Sequence, residues 1–430
     1  MVDRRDVLHK ALHDLPKGWE WEWFTDVMDV EGGTQPPASE FVDEPQPGYV
    51  RLVQIRDFET DNHATYIPDS RKWRKCETSD ILIARYGASL GRICSGLKGA
   101  YNVALAKVVP TERIHLPFAY HLLRSNYFQG PLMASGGRSA QAGFNKHGLS
   151  TIPLPVPPVP TQIAIAHILG TLDDKIELNR RMNETLGTML RALFKSWFVD
   201  FDPVRARAEG RNTGLPSAVT KLFVSSLEDS ELGEIPTGWR VGRLEEVASV
   251  IMGLSPSGDS YNTEAIGTPL INGPVEFGEY FPAKSKWTTH PTRMSTQGDL
   301  VLCVRGSTTG RRIVADGAYC LGRGVCAIRP RSVGRTFLYE LISSQLDRLL
   351  SKTTGSVFPS LSSPDIKRFT IVVPDPRVLL EFDRVAEPFT DRAEANILTS
   401  RTLMSLRDAL LPKLISSELR LKDAEKFVAA

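Results

Sequence analysis

The residues most suggestive of chemistry are Gly87-Ala88-Ser89-Leu90-Gly91, a G-x-S-x-G run behind the strand-like Asp80-Ile81-Leu82-Ile83-Ala84. On a strand-to-helix turn, such a run presents a nucleophilic serine. The chain supplies its own control, because the pattern recurs: Asp299-Leu300-Val301-Leu302-Cys303 leads to Gly306-Ser307-Thr308-Thr309-Gly310, where Thr308 stands for Ser89. No histidine occupies matched positions in the two runs, so a hydrolase would lack its base. The second glycine turn is not a phosphate-binding Walker loop either, since Arg311-Arg312 stand where Gly-Lys-Ser/Thr is needed. There is no H-E-x-x-H and no Asn-Pro-Pro-aromatic run, and Asp375 with Glu381 and Asp383 lacks the lysine of a metal nuclease core. The five cysteines form no C-x-x-C pair, which leaves no zinc site and reads as reduced, buried thiols. No catalytic residue and no metal ligand is assigned.

What the glycine turns can do is bring backbone and short hydroxyls close to a phosphate or a base edge. Arginine, asparagine and glutamine pair bidentately with purine edges, while lysine and serine mostly hold phosphates. Such residues gather around both turns. In the first copy they are Arg56, Arg85, Tyr86, Ser89, Arg92, Arg138, Ser139, Gln141, Asn145 and Lys146. In the second they are Tyr261, Asn262, Asn272, Arg305, Ser307, Thr308, Arg311, Arg323, Lys352 and Ser356. Their recurrence points to a DNA-reading surface.

The turns belong to a duplicated domain. Leu15-Pro16-Lys17-Gly18-Trp19 returns as Ile235-Pro236-Thr237-Gly238-Trp239, Gly32-Gly33-Thr34-Gln35-Pro36 answers Gly253-Leu254-Ser255-Pro256, and Gly99-Ala100-Tyr101 answers Gly317-Ala318-Tyr319. Each copy ends in prolines, from Pro153 to Pro160 and at Pro374-Asp375-Pro376, with Asp375 suited to cap a helix. A heptad follows each boundary. Ile165, Leu172, Asn179, Leu186 and Leu193 fall at a, with Ile168, Met182 and Met189 at d; the second helix has Phe382, Phe389, Asn396, Leu403 and Leu410 at a. Lys175 and Arg392 interrupt the d row. An asparagine at one a position fixes register, so Asn179 and Asn396 are expected to meet across an intramolecular coiled coil. The expected organisation is a first domain over 1–158, a helix over 159–200, a polar linker over 201–230, a second domain over 231–374, a second helix over 375–420 and a tail over 421–430.

Composition sets the outer limits. The 430 residues are 41% hydrophobic and 24% charged, an ordinary globular mixture, and they carry 52 basic against 50 acidic side chains, a net charge of +2. That excludes binding by bulk positive charge alone. There is no apolar run of spanning length and no secretory h-region, so a cytoplasmic protein is expected.

On these residues the chain resembles the specificity subunits of type I restriction-modification systems. The [LI]-P-x-G-W openings, the Gly-Asp-[LV]-L strand of each domain (Ser79-Asp80 in the first copy) and the proline-rich helix starts carry the likeness. More specific are the helix ends Leu193-Phe194-Lys195-Ser196-Trp197-Phe198-Val199-Asp200-Phe201-Asp202-Pro203 and Leu410-Leu411-Pro412-Lys413-Leu414-Ile415-Ser416. The resemblance implies an α+β fold: two mixed α/β target recognition domains, each followed by a long helix, the helices forming an antiparallel coiled coil. It implies a non-catalytic subunit that reads an asymmetric, two-part duplex DNA target and docks two methyltransferase subunits on its helices, with a restriction and translocase subunit joining in some complexes. S-adenosylmethionine would sit in the methyltransferase, and ATP and magnesium in the motor subunit, with no cofactor on this chain. A helix of about 35 residues spans roughly 50 Å, enough to bridge half-sites about one turn, ~34–36 Å, apart. The alternative is a duplicated protein-interaction scaffold with no DNA role.

Overall fold

A computed structural model describes residues 15–59, 61–136, 143–351, 359–416, 418–419, 421 and 423–424. Its contacts divide the chain into two compact units: Met1–Asn179 with Ile397–Ala430, and Arg180–Asn396. The division falls inside both long helices, so each helix gives one half to each unit, where the sequence reading had treated each helix as a separate segment.

In the first unit the strands are β1 (Glu20–Trp23), β2 (Met28–Gly32), β3 (Tyr49–Val53), β4 (Thr65–Pro68), β5 (Lys75–Cys76), β6 (Leu82–Ala84), β7 (Ile93–Cys94), β8 (Gly99–Tyr101), β9 (Leu105–Pro110) and β10 (Pro153–Val156). They form an antiparallel sheet β2-β9-β6-β7, a mixed sheet β4-β3-β8-β5 in which β3 and β8 run parallel, and the pair β1-β10. Helices α1 (Leu116–Arg124) and α2 (Asn126–Gly136) cover the first sheet, and α3 (Val159–Phe198) leaves the domain after β10.

The apolar run around β6 has no polar alternation because both of its faces are covered. Ile81 and Ile83 enter the core shared with the helices, while Leu82 and Ala84 enter a second core with Val53, Cys76, Tyr101 and Leu105. Asp80, at the head of this strand, accepts from the Glu77 amide at 2.8 Å, and Asp299 does the same for Thr296 at 2.8 Å. That is the physical role of the recurring aspartate: it closes the turn that starts the central strand.

The second unit opens with the hairpin β11 (Leu227–Ser230) and β12 (Gly233–Pro236), then β13 (Arg240–Arg243), β14 (Ala248–Met252), β15 (Tyr261–Asn262), β16 (Thr268–Ile271), β17 (Trp287–Thr288), β18 (Leu300–Cys303), β19 (Arg312–Val314), β20 (Cys320–Leu321), β21 (Val325–Pro330) and β22 (Thr370–Val373). Sheet β14-β21-β18-β19 repeats β2-β9-β6-β7, and β17-β16-β20 repeats β4-β3-β8. Register refines the sequence match: Leu52 pairs with Ala100 and Leu270 with Cys320, so Tyr101 corresponds to Leu321 and not to Tyr319.

The expected polar linker is ordered. Helix α4 (Asp202–Ala208) lies within it, and Phe201, Val204, Val219 and Phe223 are buried in the core of the second unit. The breakers Gly210 and Gly214 mark turns, both with positive φ. Likewise the expected tail contributes Ala424 to the core of the first unit.

Helix α5 (Arg335–Ser344) and the first half of α6 (Pro376–Ile415), up to Asn396, complete the second unit. Asp375 accepts from the Arg377 amide at 2.8 Å and caps α6 as its sequence suggested. The long helices run antiparallel within each unit. In the first, Asp173 binds Arg407 and Asn179 donates to Ser400 at 3.1 Å; in the second, Asn396 donates to Asn183 at 2.9 Å, and Asn183 donates to the Ala393 carbonyl at 3.1 Å.

Burial corrects the heptad. Ile165, Leu172, Phe382, Asn396 and Leu410 are buried, and Asn179, Leu186, Leu193, Phe389 and Leu403 are half-buried. Beyond Ile168, which is buried as its d position suggests, the second inward row lies four residues after each of these and not three: Leu169, Ile176, Asn183, Leu190 and Trp197 on α3, with Ala386, Ala393, Ser400, Arg407 and Leu414 on α6. Lys175, Met189 and Arg392 are exposed, so the apparent interruptions were never in the seam.

Two titratable groups are buried at corresponding places. His121 on α1 is 3% exposed and burial pushes it down to about 4, while Glu340 on α5 is 5% exposed and burial pushes it up to about 7 against the pull of Arg191 and Arg312. A native carboxyl that holds its proton above the unfolded range loses stability as pH rises from about 4.5 towards 7. Glu340→Gln is therefore expected to abolish that loss, raising stability at pH 8 by up to about 3 kcal/mol with little effect near pH 5. Urea unfolding of both proteins at the two pH values checks this; parallel pH curves would contradict it.

Among the described residues no helix is long and apolar enough to cross a membrane, no cluster of side chains could hold a metal ion, and the five cysteines are buried and unpaired with one another.

Candidate nucleic-acid interface

The same backbone hydrogen bonds frame one loop cluster in each unit. Gly33 N–H donates to Leu105 O and Gly253 N–H to Val325 O, both at 3.0 Å. Asn102 donates to Val53 and Gly322 to Ile271; Arg85 donates to Ala104 and Val304 to Gly324. Isolated bridges then join Tyr86 to Gly143 and Arg305 to Ser360. The loops approach so closely that a Cβ on Gly33 would stand 2.0 Å from Asn102 O, and one on Gly253 2.1 Å from Gly322 O. This close approach requires the glycine at the start of each G-x-x-P-like turn.

A buried carboxylate locks a further turn in each cluster. Asp57, 4% exposed, accepts from the Gln54 amide at 2.9 Å; Glu276, 4% exposed, accepts from the amides of Asn272 and Gly273 at 3.1 Å each. Across the repeat, then, the strand frame matches Gln54 to Asn272, Tyr86 to Arg305 and Val103 to Arg323, while the second turn carries one residue more, so that counting back from the locking carboxylates matches Arg56 to Val275. The scaffold is common and the side chains it presents are different.

In the second unit the cluster is open and cationic. Ser255 lies 3.4 Å from Asn272 Oδ1 and accepts from the Arg323 amide at 3.1 Å, which gathers three loops at one place. Asn272, Arg305, Ser307, Arg311 and Arg323 are exposed, and Thr308 is half-buried. Among the described residues no carboxylate pairs with Arg305, Arg311 or Arg323; Arg311 lies over the Phe277 ring at 6.0 Å. Tyr261 and Asn262 stand apart in function: Tyr261 donates to Pro256 O at 3.2 Å, and Asn262 closes its own turn by donating to Ile266 O and accepting from Ile266 N–H at 2.9 and 3.0 Å.

The candidates of the first unit are mostly engaged within the fold. Arg92 binds Glu59 at 2.6 Å, Lys146 binds Asp29 at 2.7 Å, and Asn145 caps a short helix by accepting from Gly148 N–H at 2.8 Å. Arg56 reaches Thr65 Oγ1 at 3.4 Å, and Arg85 reaches Val103 O at 3.4 Å while lying over Tyr86 at 5.0 Å. Tyr86 is 46% exposed and presents an aromatic face. Arg138, Ser139, Gln141, Lys352 and Ser356 lie outside the described residues.

Ser89 sits in a 3-10 turn between β6 and β7, which pair antiparallel through Leu82–Cys94 and Ile83–Ile93. A hairpin turn is not the strand-to-helix elbow that nucleophilic serines require, so the hydrolase reading falls. Sequence reasoning passed over Gln54, Asp57, Ser255, Val275 and Glu276. Aligning the two copies on their turns, rather than on the Ala-Tyr match, would have found them.

Comparison with known proteins agrees with this geometry. The family model described as the type I restriction modification DNA specificity domain matches twice, over residues 16–187 and 236–377. The HindI specificity subunit of a type I restriction enzyme from Haemophilus influenzae is 25% identical over 380 residues, 73% of this chain and 79% of its own length. The MjaIX specificity subunit from Methanocaldococcus jannaschii is 22% identical over 95% of both chains. The crystal structure of a type I restriction-modification S subunit from M. genitalium shares the fold, with a TM-score of 0.58, 14% identity and coverage of 94% of this chain and 97% of that one. With both copies of the repeat matched over well over half its length, the chain belongs to the type I restriction modification DNA specificity family.

Proposed function

We propose that each unit reads one half of a split duplex target and that the two half-sites differ. The observation that carries this is the pair of loop clusters built on one hydrogen-bond frame but furnished differently: Gln54, Arg56 and Tyr86 in one, Asn272, Val275 and Arg305 in the other. Base edges are told apart by donor and acceptor pattern and by the thymine methyl, so unlike side chains on like scaffolds select unlike sequences.

The long helices supply the docking surface for methyltransferase subunits, two of which fit a two-fold repeated chain, and a restriction and translocase subunit can join them. Catalysis then resides in the partners: S-adenosylmethionine in the methyltransferase, which takes adenine out of the duplex stack, and ATP with magnesium in the motor. A net charge of +2 leaves the phosphate attraction largely to those partners.

The test is a methylation-site map made with the assembled complex. It is expected to return an asymmetric two-part motif, and adding one heptad to each of α3 and α6 is expected to change the gap between its halves. Equal methylation of unrelated sequences would overturn the reading in favour of a scaffold, and an unchanged gap would separate gap length from helix length.

A further inference from the structure

Val275 is 81% exposed, more than any other large hydrophobic side chain among the described residues, and it stands on the recognition turn itself. The turn is rigid. Pro274 opens it, Glu276 holds the amides of Asn272 and Gly273, Phe277 N–H donates to Pro274 O at 3.2 Å, and Ala283 N–H donates to Glu276 O at 2.8 Å. A β-branched side chain on such a turn has one stiff torsion and so holds its two methyls in a fixed place. Leu254, 50% exposed, lies on the adjoining loop beside Ser255, which contacts Asn272. The corresponding position of the first unit carries Arg56 on a turn locked in the same way by Asp57.

Hydrophobic side chains scattered singly over a surface need no explanation. This one differs because a buried carboxylate rigidifies its turn, because its neighbour Asn272 offers the amide that reads adenine, and because the repeat puts a cation in its place. The apolar feature that a base edge offers in the major groove is the 5-methyl group of thymine. We infer that Val275 is a specificity-determining residue that packs against a thymine 5-methyl group in the half-site read by the second unit. The inference rests on the reading of the loop clusters as DNA-facing, and it adds the base feature recognised.

The experiment uses the full chain assembled with its methyltransferase and a duplex carrying the mapped target. Each thymine of the target is replaced in turn by deoxyuridine, which removes only the 5-methyl group, and affinity is measured for the wild type, Val275→Ala and Val275→Thr. At one thymine the wild type is expected to bind the uracil duplex about three- to fivefold more weakly, the worth of one buried methyl. Val275→Ala is expected to bind thymine and uracil duplexes alike there, and Val275→Thr, which keeps one methyl, to fall between. An exposed site tolerates these changes without loss of fold. No uracil-sensitive position, or a sensitivity that survives Val275→Ala at every position, would overturn the inference. Loss of all sequence preference in the wild-type complex would instead overturn the proposed function on which it rests.

Discussion

Phe382→Ala is expected to lower the unfolding free energy of the second unit by about 3–5 kcal/mol, the range for truncating a buried phenylalanine. Phe382 is fully buried at the start of α6, in a ring cluster with Phe194, Trp197 and Phe198 of α3 and Phe337 of α5, at centroid distances of 6.0, 6.0, 5.0 and 6.2 Å. One side chain thus joins both long helices to the recognition domain of its unit. All four contacts are edge-on, an arrangement worth more than area alone because ring edges are positive and faces negative. Removing the ring leaves a cavity among aromatic groups, which refill it poorly. A loss of this size is a large share of the ~5–15 kcal/mol that stabilises a typical fold. Leu380→Ala, two residues away at a side chain 74% exposed, is the control and should move stability by less than about 0.5 kcal/mol. Urea titration followed by Trp197 and Trp239 fluorescence distinguishes the two; similar midpoints would mean that the ring cluster does not hold the helices to the domain.

The existence of these helices was readable because apolar residues recur along each for roughly five heptads, and the duplication because motif after motif returns at nearly constant offset. The seam was misplaced for a definite reason. Rows at a+3 and a+4 differ by one residue, and the true inward row on α6 consists of Ala386, Ala393, Ser400, Arg407 and Leu414, mostly small or polar side chains that give no hydrophobic signal. Arg407 tolerates its position because Asp173 of α3 receives it, a pairing between residues far apart in sequence. The segment after α3 reads as linker in the sequence because polar residues and the breakers Pro203, Gly210 and Gly214 interrupt any periodicity, yet Val204 and Phe223 are enough to anchor it.

At the candidate site, sequence identifies which residues can read a base but not which are already spent. Arg92 and Arg305 are both arginines next to a glycine turn, and the chain gives no ground for treating them differently. One is bound to Glu59 and the other has no carboxylate among the described residues, and only the fold decides between them. Charge pairing within the first unit also explains why a basic composition around its turn overstates the cations it offers to DNA.

From this difference follows the sharpest expected change in recognition. Arg305→Ala and Arg323→Ala should each reduce the preference of the assembled complex for its target by about 10- to 100-fold, the worth of a bidentate arginine–guanine contact. Both side chains are exposed on the loop cluster of the second unit, and their backbones are tied to its frame, Arg305 through its bridge to Ser360 and Arg323 through Ser255. The anchored backbone limits the entropy lost when the side chain docks, which favours base reading over loose phosphate contact. Arg92→Ala should leave the target preference nearly unchanged, because it removes an ion pair on Glu59 and not a reader. Competition between the mapped target and a shuffled duplex at fixed salt gives the ratio, and repeating it across salt concentrations separates base reading from phosphate binding. A reader loses preference at every salt concentration, whereas a phosphate contact weakens both duplexes equally and lowers the salt slope by about one unit. If Arg305→Ala and Arg323→Ala both behaved in the second way, the cationic cluster would be an anchor, and base choice in this unit would fall to Asn272 and Val275.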